Sequence, residues 1–466
     1  MYIYFKKLYI VFFTKKAIMQ KIISTTILVL TTILTLSAQT WVNVGVPVSG
    51  SINSLASFAG NLYVGGNFNR LNGTESDFTA IYDGTAVTAH VQAGITGTSG
   101  INSLYVASVL GSPLLFALGD LKTGTSATSP AYCTTWATGT GWGNAAFRTP
   151  SKATCMAAGT ILVGANTADV QFVGLGANTG GLAYVARYNG AAWAAAGSGF
   201  NAKVNCLEIY GGTVYAGGDF TASGTTVMNH LAKWDATTSK WVAVAGGCNG
   251  NVRTLKSYNG ALYIGGDFAL ANGVANTRLI AKYDGTSFSP VGGGVTAGAS
   301  VRVIQAMNGS VYVGGDFTKV GTVSAKNIAA IATNAPYWTS YGSGVTSPVN
   351  TLIYHAGNRY LGQGVTGTAA NYLKMWSTTV ATQNEEPHTE PLTVFPNPAS
   401  NEITVKTSES MKTIHIYSLS GSLLSTETNI DSNMHTLSIE NLPQGAYLVY
   451  IVTKNGKTGV QKVVKW

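Results

Sequence analysis

Three sets of residues in this chain have types and spacings that could do chemistry: its carboxylates, its histidines, and a polar residue that recurs ahead of short apolar strands. Glycoside hydrolysis needs two carboxylates about 5–9.5 Å apart. Residues 41–380 hold eleven acids. Asp120, Asp219, Asp267 and Asp316 share one recurring position, and Asp83, Asp235 and Asp284 share another. An acid that recurs at fixed spacing reads as a turn former whose side chain bonds nearby backbone N–H groups. Only Glu75, Asp77, Asp169 and Glu208 break the pattern. Four scattered acids give little to build an active site from.

The histidines of this region, His90, His230 and His355, show neither a His-Glu-x-x-His motif nor a paired spacing on one strand. No Gly-x-Ser-x-Gly elbow occurs, and the Gly-rich stretches precede no helix, so a phosphate loop lacks its context. Cys133, Cys155, Cys206 and Cys248 lack a Cys-x-x-Cys spacing, which argues against zinc. Export would permit disulfides, but the spacings do not choose between disulfides and small buried thiols. No cofactor and no metal site is expected, and the pattern reads against an enzyme.

The recurring polar residue remains: Asn53, Asn102, Asn205, Arg253, Arg302 and Asn350. Ringed around one mouth of a channel, these would offer amide and guanidinium donors to a polar or anionic ligand. The competing reading is that they cap strand ends and bond neighbouring loops. Trp193, Trp234, Trp241, Phe288 and Trp338 could stack on sugars, although their recurrence favours packing between sheets.

The elements that must position these residues announce themselves as a repeat. Leu62-Tyr63-Val64-Gly65-Gly66-Asn67-Phe68 returns as Val214–Phe220, Leu262–Phe268 and Val311–Phe317. Weaker copies stand at Leu115–Asp120, Ile161–Gly164 and Arg359–Gly362. The aromatic positions 63, 116, 162, 215, 263, 312 and 360 lie 46 to 53 apart, giving seven units. Such a period means an array or a propeller, and four strand-like pieces per unit make one blade. Two spaced aromatics after the Gly-Gly, most clearly Trp234 and Trp241, resemble the kelch-type blade. That resemblance implies a fold and no activity. The seventh unit lacks a fourth strand, and Trp41-Val42-Asn43-Val44 matches the one missing, so it is expected to pair with Tyr372–Trp376.

The ends read differently. A basic start at Met19 and an apolar run from Ile22 to Leu36 precede Ser37-Ala38, so residues 1–38 read as a signal peptide with Met19 as initiator. The run is shorter than the ~20 residues of a bilayer span, so the mature chain is expected to carry no stable transmembrane segment. Residues 381–391 read as a linker. Short alternating strands in 392–466 predict a small immunoglobulin-like β-sandwich.

This tail resembles the type A C-terminal sorting domain of the type IX secretion system of Bacteroidetes. The likeness rests on Val394-Phe395-Pro396-Asn397-Pro398-Ala399, Ile416–Gly421, Leu442-Pro443-Gln444-Gly445-Ala446-Tyr447 and the end Lys462-Val463-Val464-Lys465. Its motif residues here are Pro396, Asn397, Pro398, Gly421, Gly445 and Tyr447. The resemblance implies the type IX machinery as a partner, and a secreted or outer-membrane surface-attached product after signal-peptide export to the periplasm.

Composition agrees with an extracellular all-β protein: 10% charged residues, 56 Gly and 23 Tyr among 466. Five of the 28 basic residues lie in the leader, which leaves 23 against 19 acidic, with no basic cluster for nucleic acid. The chain therefore reads as all-β: a seven-bladed β-propeller at 39–380, a linker, and the sorting sandwich. The expected role is a non-catalytic binding or adhesion module for an extracellular polymer or protein. The alternatives are a carbohydrate-active enzyme with its site in blades two and three, between Gly111 and Ala183, and a structural cell-envelope protein.

Overall fold

Apolar residues alternating with polar ones, broken every few residues by Gly, Asn or Asp, produce strands along the whole chain. The computed structural model describes residues 39–71, 74–76, 78–89, 96–109, 112–122, 132–137, 141–142, 147–333, 337–364, 371–378, 392–418, 423–455 and 458–466. The leader at 1–38, the linker, Asp77, His90 and Gly421 lie outside the described residues. Those residues are all-β, with no α-helix, and fall into two compact units that divide after Ala381.

The first unit contains seven successive antiparallel sheets, each with a four-strand path. Their first strands are Ile52–Phe58, Thr96–Val109, Ala153–Val163, Val204–Tyr210, Val252–Tyr258, Val295–Met307 and Val349–His355. Each pairs with a second strand, as Val204–Tyr210 does with Thr213–Gly218, followed by a third and a fourth. No sheet closes on itself as a barrel. The first strand of each sheet packs against that of the next, and the seventh packs against the first.

Seven apolar clusters follow the same order, one between each neighbouring pair of sheets, the pair of seventh and first included. Phe68, Phe220, Phe268 and Phe317, which end the repeat motif, are among the largest fully buried side chains. The aromatics of the third and fourth strands face each other across the ladder: Trp136 with Trp142, Tyr188 with Trp193, Trp234 with Trp241, Tyr283 with Phe288. They fill the space between sheets. Trp193 and Trp241 also donate their indole N–H to the carbonyls of Phe147 and Ala196.

The Gly-Gly pair lies inside the second strand, and close packing explains it. A Cβ on Gly217 would stand 2.4 Å from Val252 Cγ1 of the following sheet, and one on Gly362 would stand 2.2 Å from Ile52 Cγ2. The second glycine meets backbone: a Cβ on Gly266 would lie 2.0 Å from the Asn251 carbonyl. The second sheet shows the compensation, for Leu118 fills the first glycine's place and the small Ala153 of the third sheet stands in the same apolar cluster.

One expectation changes at this level, and the expected pairing of Trp41–Val44 is met. In the third sheet the motif falls on Phe172-Val173-Gly174-Leu175, because Gly174 pairs with Cys155 as Gly217 pairs with Cys206. Ile161–Gly164 is the end of the first strand and its hairpin turn. The seventh sheet takes its fourth strand from the other end of the unit: Gln39–Val48 pairs with Asn371–Thr378, placing Trp41 opposite Trp376 and Val44 opposite Leu373.

In the second unit, Glu402–Ser418 and Leu423–Ser438 are long paired strands, bordered by Thr393–Phe395, Gly445–Thr453 and Thr458–Lys465. These form one continuous five-stranded sheet over a core of Ile403, Val405, Ile414, Ile416, Val449 and Ile451. The separate strands expected at Glu402–Lys406 and Thr413–Tyr417 join through an irregularity in the ladder. The first part of the strand Leu423–Ser438, residues 423–434, is rich in Ser, Thr and Asn and lacks the apolar alternation that would have marked it.

Replacing Gly266 with Ala should cost about 3 kcal/mol, because backbone cannot yield to the new methyl. Gly176→Ala, whose Cβ would have nothing nearer than 3.5 Å, should stay within about 0.5 kcal/mol. Urea unfolding of the two variants would measure the difference.

Candidate functional site

In every one of the seven sheets the ladder slips by one residue near the start of the first strand. The extra residue is Asn53, Asn102, Thr154, Asn205, Arg253, Arg302 or Asn350. Such a β-bulge re-aims a side chain away from the pleat. All seven line one cavity of about 780 Å³, together with Lys203, Asp267, Ser300 and Asp316. The six residues singled out from the sequence thus come together. Thr154 escaped notice because the third unit had been read out of register.

Five of the seven bond the backbone of the next sheet. Asn53 Nδ2 donates to the carbonyl of Ile101 at 2.9 Å, Asn102 Nδ2 to Ala153 at 2.9 Å and Asn205 Nδ2 to Val252 at 3.1 Å. Thr154 Oγ1 donates to Val204 at 2.5 Å, and Asn350 Nδ2 to Ile52 at 3.4 Å. The two arginines differ. Arg253 Nε donates to both oxygens of Asp267 at 2.7–2.8 Å, and this partner raises the guanidinium's pKa. Arg302 Nη1 reaches Asn350 Oδ1 at 2.9 Å.

The recurring acids divide. Asp83, Asp235 and Asp284 accept backbone N–H groups two and three residues on, as turn formers do; these bonds lower the pKa values of Asp83, to about 2, and Asp284, and the Thr238 hydroxyl followed by the backbone lowers that of Asp235. Two of the Gly-Gly-Asp acids instead face the bulge: Asp219 Oδ1 accepts from Asn205 Nδ2 at 2.7 Å, and Asp267 holds Arg253. Residue 14 positions away, not local backbone, is what this carboxylate answers to.

A second cavity, of about 880 Å³, lies against the third sheet, lined by Phe147, Thr160, Asp169, Gln171 and Tyr188 among others. Among the described residues its one carboxylate is Asp169, which accepts the Thr160 hydroxyl at 2.6 Å. His230 Nδ1 sits 3.1 Å from the Gly218 carbonyl, and His355 Nδ1 sits 2.8 Å from Ser57 Oγ. Among the described residues, no three of His, Cys, Asp and Glu are grouped to hold a metal. All four cysteines are free and buried, and burial raises their pKa values.

In the second unit, Asn397 bridges to the last strand, donating to the Lys462 carbonyl at 2.8 Å and accepting from Val464 N at 2.9 Å. Tyr447 is buried, with its hydroxyl donating to the Pro443 carbonyl. The Lys465 ammonium is buried and donates to three carbonyls, of Ile439, Glu440 and Leu442, at 2.6–2.8 Å. Pro396 and Pro398 are exposed beside Asn397, and Gly445 opens the penultimate strand.

Residues 393–465 match the family model of the secretion system C-terminal sorting domain. The tail is a type IX secretion sorting domain. It makes the protein a secreted or cell-surface one and implies interaction with the type IX machinery. No helix among the described residues is long and apolar enough to cross a membrane. No curated protein matches the sequence. Among solved structures, the chain is similar to the computationally designed Ika8 protein, with TM-score 0.43 and 12% identity, covering 72% of this chain and 99% of that one. It is also similar to the extracellular domain of a one-component system protein from B. thetaiotaomicron, with TM-score 0.42 and 12% identity, covering 92% of this chain and 58% of that one.

Glu208, one of the acids outside the repeat, bridges two sheets: Oε1 accepts Ser257 N at 2.9 Å and lies 3.5 Å from Lys256 Nζ. Burial outweighs the lysine and raises its pKa above the ordinary 4.5. A carboxyl raised in the folded state contributes stability that is complete below the unfolded value and is lost as pH rises through the folded one. Glu208→Gln keeps an acceptor for Ser257 and removes the charge. Its stability relative to the parent should therefore grow as pH rises from about 4 to 7. Urea unfolding across that range measures it, and a constant difference would contradict the raised pKa.

Proposed function

We propose that residues 39–380 are a seven-bladed, kelch-like β-propeller, exported by a signal peptide at 1–38. The tail, an immunoglobulin-like sandwich in this reading, then delivers it across the outer membrane as a binding module for an extracellular polymer. Support for the propeller comes from seven sheets packed in cyclic order, with Gln39–Val48 completing the last. A fourth strand borrowed from the other terminus leaves no sheet open and couples the two ends of the unit.

The binding reading is carried by one observation: seven bulges deliver seven polar side chains to a single cavity. Bulges favour positions where a side chain must be re-aimed, and here all seven re-aim to one concavity. The enzyme alternative finds less. The cavity beside the third sheet offers one carboxylate, already bonded to Thr160, where glycoside hydrolysis uses two.

A glycan-array and hydrolysis screen of the purified protein tests the role. Retention of a glycan without turnover is the expected result, and release of reducing sugar would favour the enzyme. Deleting 392–466 should leave a folded first unit in the periplasm of the native host. Surface display of the truncated protein at normal levels would remove the tail from the delivery route.

A further inference from the structure

Four sheets carry a polar pair 14 residues apart, one member at the bulge of the first strand and the other at the Gly-Gly-Asp position of the second. In three of them the pair is closed. Asn53 bonds Asn67 at 2.8 Å, Asn205 bonds Asp219 at 2.7 Å, and Arg253 holds Asp267 at 2.6–2.8 Å. The sixth sheet has the pair with the strongest reason to close, Arg302 and Asp316, and it stands open. Arg302 turns instead to Asn350 on the seventh sheet. The Asp316 carboxylate has no partner among the described residues, and neither has the Lys203 ammonium. Both line the same cavity as Arg302.

Opposite charges held apart in one cavity define what fits between them. We propose that the cavity binds an acidic saccharide unit, a uronate within a polysaccharide, whose carboxylate lies against Arg302 and Lys203 and whose hydroxyls donate to Asp316. This rests on the reading of the cavity as a binding site. Among the described residues its one apolar side chain is Ala299 and none is aromatic, a lining that favours a sugar acid over a peptide's apolar side chains or a planar ligand. Guanidinium and ammonium groups suit a carboxylate, while amides and an ionised Asp suit hydroxyls. A volume of about 780 Å³ is within the range of small-molecule sites.

Calorimetric titration of the purified protein tests this with oligogalacturonate, oligomannuronate and chondroitin sulfate, against neutral galactan and mannan and against oligoglutamate. The expected result is binding of at least one uronate glycan that weakens with added salt. That binding should fall at least ten-fold in both Arg302→Gln and Asp316→Asn, with thermal unfolding unchanged. If Arg302→Gln unfolds, Arg302→Lys and Lys203→Gln replace it, with the same loss expected. Uronate binding that all folded variants retain would overturn the placement. Preference for neutral glycans, lost in the same variants, would overturn the acidic class while keeping the cavity as a binding site. Tighter binding of oligoglutamate would overturn the saccharide. No uronate binding by the folded parent protein would overturn the assignment outright, whatever the broader array shows.

Discussion

A bulge facing at least one glycine in every sheet, and two in four of them, holds the first unit together. Where the first strand gains a residue, the second must let a carbonyl approach to within the space a Cβ would occupy, as Asn251 does at Gly266. The neighbouring glycine leaves a hole into which the next sheet inserts a β-branched residue, Val252 at Gly217 or Ile52 at Gly362. The bulge also throws a polar side chain outward to bond the next sheet's backbone. One local irregularity therefore sets the approach of the sheets, their mutual bonding and the lining of the cavity.

Stability is distributed as a consequence. Each apolar cluster belongs to two neighbouring sheets and there is no core common to all seven. Arrays of this kind gain stability from intrinsic terms and nearest-neighbour interfaces. The interface of the seventh and first sheets depends on Val44 and Val48, from a strand more than 300 residues away in sequence from its partner. The tail has its own core, with the buried Lys465 ammonium satisfied by three carbonyls, an arrangement that offsets the cost of burying a charge.

The polar residues at the bulges serve both fold and cavity. In Asn53, Asn102, Thr154, Asn205 and Asn350 a donor is engaged by the neighbouring sheet, while the same side chains line the cavity. What distinguishes one side of the cavity from the other is charge: the closed Arg253–Asp267 pair beside the open Arg302 and Asp316.

Much of this was legible in the chain before folding. The repeat of Tyr, Gly-Gly and Asp-Phe marked the units, the matched Trp41 and Trp241 stretches implied the borrowed strand, and the Pro396-Asn397-Pro398 and Leu442–Tyr447 motifs identified the sorting tail. Those signals are local, since each is written in consecutive residues. The third unit was misread because Ile161–Gly164 imitates the motif while the residues in its place, Phe172–Leu175, keep only one glycine. The Gly-Gly-Asp carboxylates were taken for turn formers, since sequence shows an acid's chain neighbours but not the residue 14 positions back that a hairpin brings beside it. Whether Arg302 closes on Asp316 or turns to Asn350 depends on a third side chain 48 residues on, and only the packing of one sheet against the next decides that.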